Sequence, residues 1–181
     1  MAKNTLERRF AERVAAREWA DALYLRDRND GPGLLDEWRS ELTTDELRIV
    51  LPHVWQAAEF PVGDDDYDED YWIGLWREAG FVSTGGNAAP TASITVYRGA
   101  SAEGVGYGLS WTRDSETARW FARRWTLTGT AGGLFELQVP PIAVLALIDS
   151  DDDRREHEVV VDMGGLGRPL LVERFPIKAT V

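Results

Sequence analysis

The hydrophobic period of this chain changes once, near residue 90, and that change constrains what the chain can fold into. Before it, apolar residues recur at helical spacing; after it, they alternate as strands do. Leu6, Phe10 and Val14 lie on one helical face, with Asn4 and Glu7 resembling a capping box. That helix is expected to end by Asp27 to Gly33, where Asn, Asp, Gly and Pro cluster. Thr43 with Glu46 opens a second helical segment through Leu47, Val50, Val54 and Trp55, in which Pro52 predicts a kink or a restart. Tyr71 to Ala79 reads as a further helix stopped by Gly80. Trp19, Trp38, Trp55, Trp72 and Trp76 all fall in this half, and core packing between helices is their simplest use.

From residue 90 the pattern is β. Ile94 to Arg98, Leu109 to Thr112, Leu134 to Val139, Val144 to Ile148, Glu158 to Met163 and Leu170 to Phe175 read as strands. One helix interrupts them, capped by Asp114 or Ser115 and carrying Ala118, Phe121, Ala122 and Trp125 on its inner face. The expectation is an α+β protein: a helical N-terminal lobe over 1–89 and a mainly β domain over 90–181, packed as one compact unit.

Composition removes several function classes. The 181 residues include no cysteine, so disulfides and thiolate nucleophiles are excluded. His53 and His157 are the only histidines, too few for a multi-histidine metal cage, and a Ser-His triad is poorly supplied. Twenty basic against 31 acidic residues give a net charge of −11, which disfavours a coat on nucleic acid. No apolar run approaches the length of a membrane span, and the first ten residues lack the apolar core of a signal peptide. A cytoplasmic protein without membrane attachment, monomeric or a small oligomer, is expected. The acidic runs Asp64 to Asp70 and Asp149 to Asp153 read as solvated loops; the first lacks the spaced ligands of a calcium loop.

Three motifs follow one another on the expected strands. Arg98-Gly99 ends the first: a strand arginine offers a planar fork to phosphate oxygens, and glycine lets a ligand approach, although a surface arginine would look the same. In Ser110-Trp111-Thr112 the two hydroxyls share one face of a strand and Trp111 points to the other, as in any half-buried strand. Glu156-His157-Glu158 would hold two carboxylates on one strand face roughly 7 Å apart, an arrangement that folding alone does not favour.

In this order the motifs resemble those of the mono-ADP-ribosyltransferases of the arginine–serine–glutamate class. Tyr97-Arg98-Gly99, Ser110-Trp111-Thr112, the Ala118 to Ala122 helix and Glu156-His157-Glu158 carry the resemblance, which covers roughly residues 90–165. It implies a split β-sandwich of the ADP-ribosyltransferase type and NAD as substrate, without a metal. It further implies an acceptor macromolecule, protein before nucleic acid, with arginine favoured, and suits a toxin or host-modifying effector. By this resemblance Arg98, Gly99, Ser110, Trp111 and Thr112 would contact NAD, Arg98 at a phosphate and Ser110 at a ribose. Glu158 would stabilise positive charge on the sugar, and Glu156 would accept a proton from the acceptor. Trp111 or Trp120 would wall the pocket. Only 11 residues separate Arg98 from Ser110, a shorter connection than in the toxin members. NAD glycohydrolysis on the same site, or a non-catalytic binding module on the same fold, are the alternatives.

Overall fold

The structure, a computed structural model, describes residues 2–58, 62, 67–104, 106–149 and 157–177. The chain forms two compact units, Met1–Gly80 and Phe81–Val181.

The first unit is helical: α1 (Ala2–Ala15), α2 (Trp19–Leu23), α3 (Gly31–Trp38), α4 (Thr44–Ala57) and α5 (Glu69–Ala79). Helix α1 starts ahead of Asn4, which is therefore a helical residue and not a cap. It also stops well before Asp27. Arg17 has a φ of 59°, a left-handed conformation that no helix continues through, and its guanidinium reaches across to Glu46 at 2.6 Å. The expected breaker at residues 31–33 instead begins α3, because Pro32 in a first turn lacks only an amide that would have no partner there.

The capping box of Thr43 and Glu46 is present at the start of α4. That helix runs through Pro52 without a restart. One lost hydrogen bond is outweighed by the buried face of Leu47, Val50, Leu51, Val54 and Trp55. Helix α5 begins two residues earlier than its apolar pattern suggests, since Asp68 accepts a hydrogen bond from the Tyr71 amide and Glu69 and Asp70 fill the first turn. Part of the first acidic run thus caps a helix; Asp64 to Asp66 lie outside the described residues. All five tryptophans of this unit are buried, with Trp19 tilted against Trp38 at 5.1 Å and Trp55 edge-on to Trp72 at 5.2 Å.

The second unit contains one open, mostly antiparallel sheet. Its strands are β1 (Val82–Ser83), β2 (Ile94–Ser101), β3 (Ser110–Thr112), β4 (Gly132–Val139), β5 (Val144–Ile148), β6 (Glu158–Val161) and β7 (Leu170–Phe175), with α6 (Ser115–Trp125) after β3. The order is β1-β5-β6-β3-β2-β4-β7, and among the described strands only β1 and β5 run parallel. Both units together make a mixed α and β protein, in keeping with the α+β expectation.

The sheet is not uniformly joined. Strands β2 and β4 pair over eight positions, but β2 and β3 share the single pair Tyr97–Thr112. Two half-sheets, β1-β5-β6-β3 and β2-β4-β7, therefore meet at a narrow seam. Val96, Trp111, Phe135, Leu137, Leu147, Val159 and Val161 form one core cluster that spans it. Helix α6 lies on β2 and β4 at Gly99 and Gly132. A Cβ at Gly99 would fall 2.0 Å from the Ala118 carbonyl oxygen, and one at Gly132 only 1.9 Å from that of Ala122.

Candidate active site at the seam of the sheet

The seam gathers residues from three strands. Beyond the Tyr97–Thr112 pair, β2 and β3 diverge, and the half-buried Arg98 side chain reaches across, donating from Nη1 to the Ser110 carbonyl oxygen at 2.5 Å. Its guanidinium lies flat against Gly108, where a Cβ would sit 2.6 Å from Nη2. Gly108 has a φ of 147°, so both its conformation and its lack of a side chain serve this contact. The glycine cluster before β3 marks a turn in the sequence; the demand that Arg98 places on Gly108 appears only in three dimensions.

Ser110 and Glu158 come together through the β3–β6 ladder. Its register pairs Thr112 with Glu158, Trp111 with Val159 and Ser110 with Val160. Ser110 and Glu158 are thus diagonal neighbours on one face. The Ser110 hydroxyl donates to Oε1 of Glu158 at 2.6 Å, a short bond as expected with an ionised acceptor. Both residues are half-buried, and the carboxylate has a fixed partner in Ser110.

Thr112 shares that face but is 6% exposed, and its Oγ1 accepts from the Asp114 amide at 3.0 Å. Asp114 in turn caps α6 by accepting from the Glu116 amide and the Thr117 hydroxyl. The bond from the Glu116 amide is the main reason that its carboxyl is held below the usual range. Thr112 therefore ties β3 to the helix that follows.

Two residues expected beside the cofactor have other surroundings. Trp111 is 2% exposed, belongs to the core cluster and donates from Nε1 to the Gly108 carbonyl oxygen at 2.7 Å. Its ring is a core element and not a pocket wall, as strand alternation against Val159 requires. Gly99 faces the backbone of α6, so close helix packing accounts for the missing side chain. Trp120, by contrast, is 53% exposed on α6, with the Arg124 guanidinium 4.9 Å from its ring.

Glu156 lies outside the described residues. The expectation that it shares a strand face with Glu158 assumed extended backbone between them. His157 has a φ of 42°, however, and strand alternation ends there. The aspartate that begins the second acidic run is no free solvated side chain either. Asp149 accepts from Asn87 Nδ2 at 2.9 Å and lies 2.9 Å from His157 Nδ1.

The assembled groups are a guanidinium, a hydroxyl and a carboxylate along one narrow join in a sheet. This donor set suits a ligand that combines sugar hydroxyls, phosphate and a positive charge, and Glu158 is the group able to face developing positive charge. Among the described residues no group of three or more His, Asp or Glu side chains is placed to hold a metal ion, and no helix is long and apolar enough to cross a membrane. Comparison with protein-family models, curated proteins and solved structures returns no match for this chain.

Proposed function

We propose that residues 81–181 form an ADP-ribosyltransferase domain that uses NAD as substrate and transfers ADP-ribose to a protein, with arginine as the favoured acceptor. The observation that carries this reading is the Ser110–Glu158 hydrogen bond of 2.6 Å beside an arginine that is bonded to the same serine's carbonyl oxygen. Side chains from β2, β3 and β6 are linked in this way, which supports the reading, and the narrow join between two half-sheets is compatible with a split sandwich.

In this reading the bond between ribose C1 and the nicotinamide nitrogen breaks, and a bond from C1 to a guanidino nitrogen forms. Nicotinamide leaves with the bonding electrons, and the acceptor's proton passes to a carboxylate, the role assigned to Glu156. Glu158 stabilises positive charge at the sugar, Ser110 fixes the orientation of that carboxylate, and Arg98 supplies a cation for a phosphate. The test is incubation with NAD labelled in its adenylate, together with a cell lysate, followed by mass spectrometry of the labelled species. Label on protein supports transfer; free ADP-ribose alone indicates glycohydrolysis.

A second reading has its own support. Arg98 already serves the fold, since it bridges the seam and packs on Gly108. A non-catalytic module would keep these contacts while doing no chemistry. Absence of NAD binding at millimolar concentration by calorimetry would favour it.

A further inference from the structure

Glu158 is the first residue of β6, and the residue before it holds an unusual conformation. His157 is neither glycine nor asparagine, yet its φ is 42°. A left-handed conformation in such a residue carries a cost and persists when neighbouring groups determine it. Two contacts do so here. The His157 carbonyl oxygen accepts from the Arg113 amide at 3.4 Å, just past the end of β3. Its ring Nδ1 lies 2.9 Å from Oδ1 of Asp149, just past the end of β5.

Asp149 is itself held by several groups. Its amide donates to Thr84 Oγ1 at 2.9 Å, and its carbonyl oxygen accepts from the same hydroxyl at 3.1 Å. Its Oδ2 accepts from Asn87 Nδ2, and Arg113 Nη2 lies 3.8 Å from Oδ1. Gly85 must lack a side chain for this to fit, because a Cβ there would stand 2.4 Å from Oδ2. Groups from the β1 end, the β3 end and the β6 entry thus converge on one carboxylate. Meanwhile Glu158 is paired in register with Ile148 on one side and Thr112 on the other.

We propose that Asp149 is a positioning residue: through His157 it fixes the backbone entering β6 and so aims the Glu158 carboxylate at Ser110. This rests on the ADP-ribosyltransferase reading for its kinetic consequences, though not for its geometry.

The experiment compares Asp149→Ala, Asp149→Asn and His157→Gly with the wild-type chain, using NAD turnover, melting temperature and crystal structures. Asp149→Ala is expected to lower kcat about tenfold or more with KM for NAD changed less than about threefold. Asp149→Asn keeps an oxygen for His157 Nδ1 and is expected to recover most of that loss. His157→Gly accepts the left-handed backbone without strain, so its melting temperature should hold while kcat falls. In the crystal, Ser110 Oγ and Glu158 Oε1 should separate beyond 3.5 Å in Asp149→Ala. Unchanged kcat in both Asp149→Ala and His157→Gly, or a kcat that follows melting temperature across all three variants, overturns the positioning role. If the wild-type chain does not turn over NAD, the functional reading fails. The crystal structures then decide the positioning role: an intact Ser110–Glu158 bond and an unchanged His157 backbone in Asp149→Ala overturn it, and a broken bond upholds it.

Discussion

Ser110 and Glu158 bond to each other across the β3–β6 ladder even though neither is the other's register partner. The diagonal contact fixes one oxygen of the carboxylate. It also divides what substitutions at the two positions should do. Glu158→Gln retains shape and can still accept from Ser110, but it removes the negative charge. Transfer from NAD is expected to fall by about 100-fold or more, with NAD affinity changed much less. Ser110→Ala leaves the charge and loses the orientation, so a smaller loss, about tenfold, is expected. Single-turnover assays with labelled NAD give both numbers, and a fully active Glu158→Gln chain would falsify the assignment.

Arg98 is expected to show two separable effects. Arg98→Ala removes the seam contact to Ser110 and the proposed phosphate contact together, so both melting temperature and NAD affinity should drop. Arg98→Lys restores a charge without the planar fork and should recover only part of either. Gly108→Ala separates the two roles from the other side. Its φ of 147° and the guanidinium 2.6 Å from the added Cβ predict a loss of about 2 kcal/mol in urea denaturation. Affinity unchanged in both arginine variants, measured by calorimetry, would make Arg98 a residue of the fold alone.

These contacts show which parts of the site could be read in the sequence. Arg98, Ser110 and Glu158 stand out because strand alternation assigns a face to each residue and the motifs come in order. The same alternation puts Trp111 opposite Ser110, in the core with Val159, and so argues against its place in a pocket. Gly99 and Gly108 look alike as letters, yet one admits the backbone of α6 and the other the guanidinium of Arg98. Only the packing of distant segments tells them apart. The two-residue strand β1 is invisible for the same reason, since its pairing with β5 defines it. In the helical unit the missed stop at Arg17 reflects a tertiary contact: its guanidinium holds Glu46, 29 positions away.

That contact carries a prediction about acid. Glu46 accepts from Arg17, from the Thr43 amide and hydroxyl, and from Trp19 Nε1, and the Arg17 bond is the main cause that holds its carboxyl well below the usual range. A carboxyl whose pKa is lower folded than unfolded adds stability that is complete above its unfolded value, about 4.3. The contribution disappears as pH falls from there through the folded value. Glu46→Gln should therefore melt below the wild-type chain at pH 6, with the gap closing as pH drops under about 4. Added salt should narrow the gap at pH 6, because both partners still reach solvent. Tryptophan fluorescence melts between pH 6 and 2 read this directly; a gap that widens in acid contradicts it.

The glycines beneath α6 give a prediction that is independent of any chemistry. Alanine at Gly99 or Gly132 would put a methyl carbon about 2 Å from a helix carbonyl oxygen, closer than any relaxation of a side chain can remedy. The helix itself must move off β2 and β4. A cost of at least about 2 kcal/mol is expected for each, near the upper part of the range for overpacked cores. The double variant should cost less than the sum, since one displacement of α6 relieves both clashes. Chemical denaturation of the three chains tests this, and strict additivity would show that the two sites yield separately.

The last prediction concerns the acceptor, and it separates the two glutamates. The resemblance associates a glutamate two positions before the sugar-facing one with arginine as target, and Glu156 holds that position in sequence. A guanidinium is cationic and a poor nucleophile until a carboxylate takes its proton, whereas water needs less help to intercept an activated sugar. Glu156→Ala should therefore suppress transfer to protein while slow hydrolysis of NAD persists through Glu158. Glu158→Gln should suppress both. Site mapping of labelled protein by electron-transfer fragmentation decides the acceptor. Adducts on asparagine, serine or a nucleic-acid base, or full protein labelling by Glu156→Ala, would exclude arginine and reassign the proton transfer to another group.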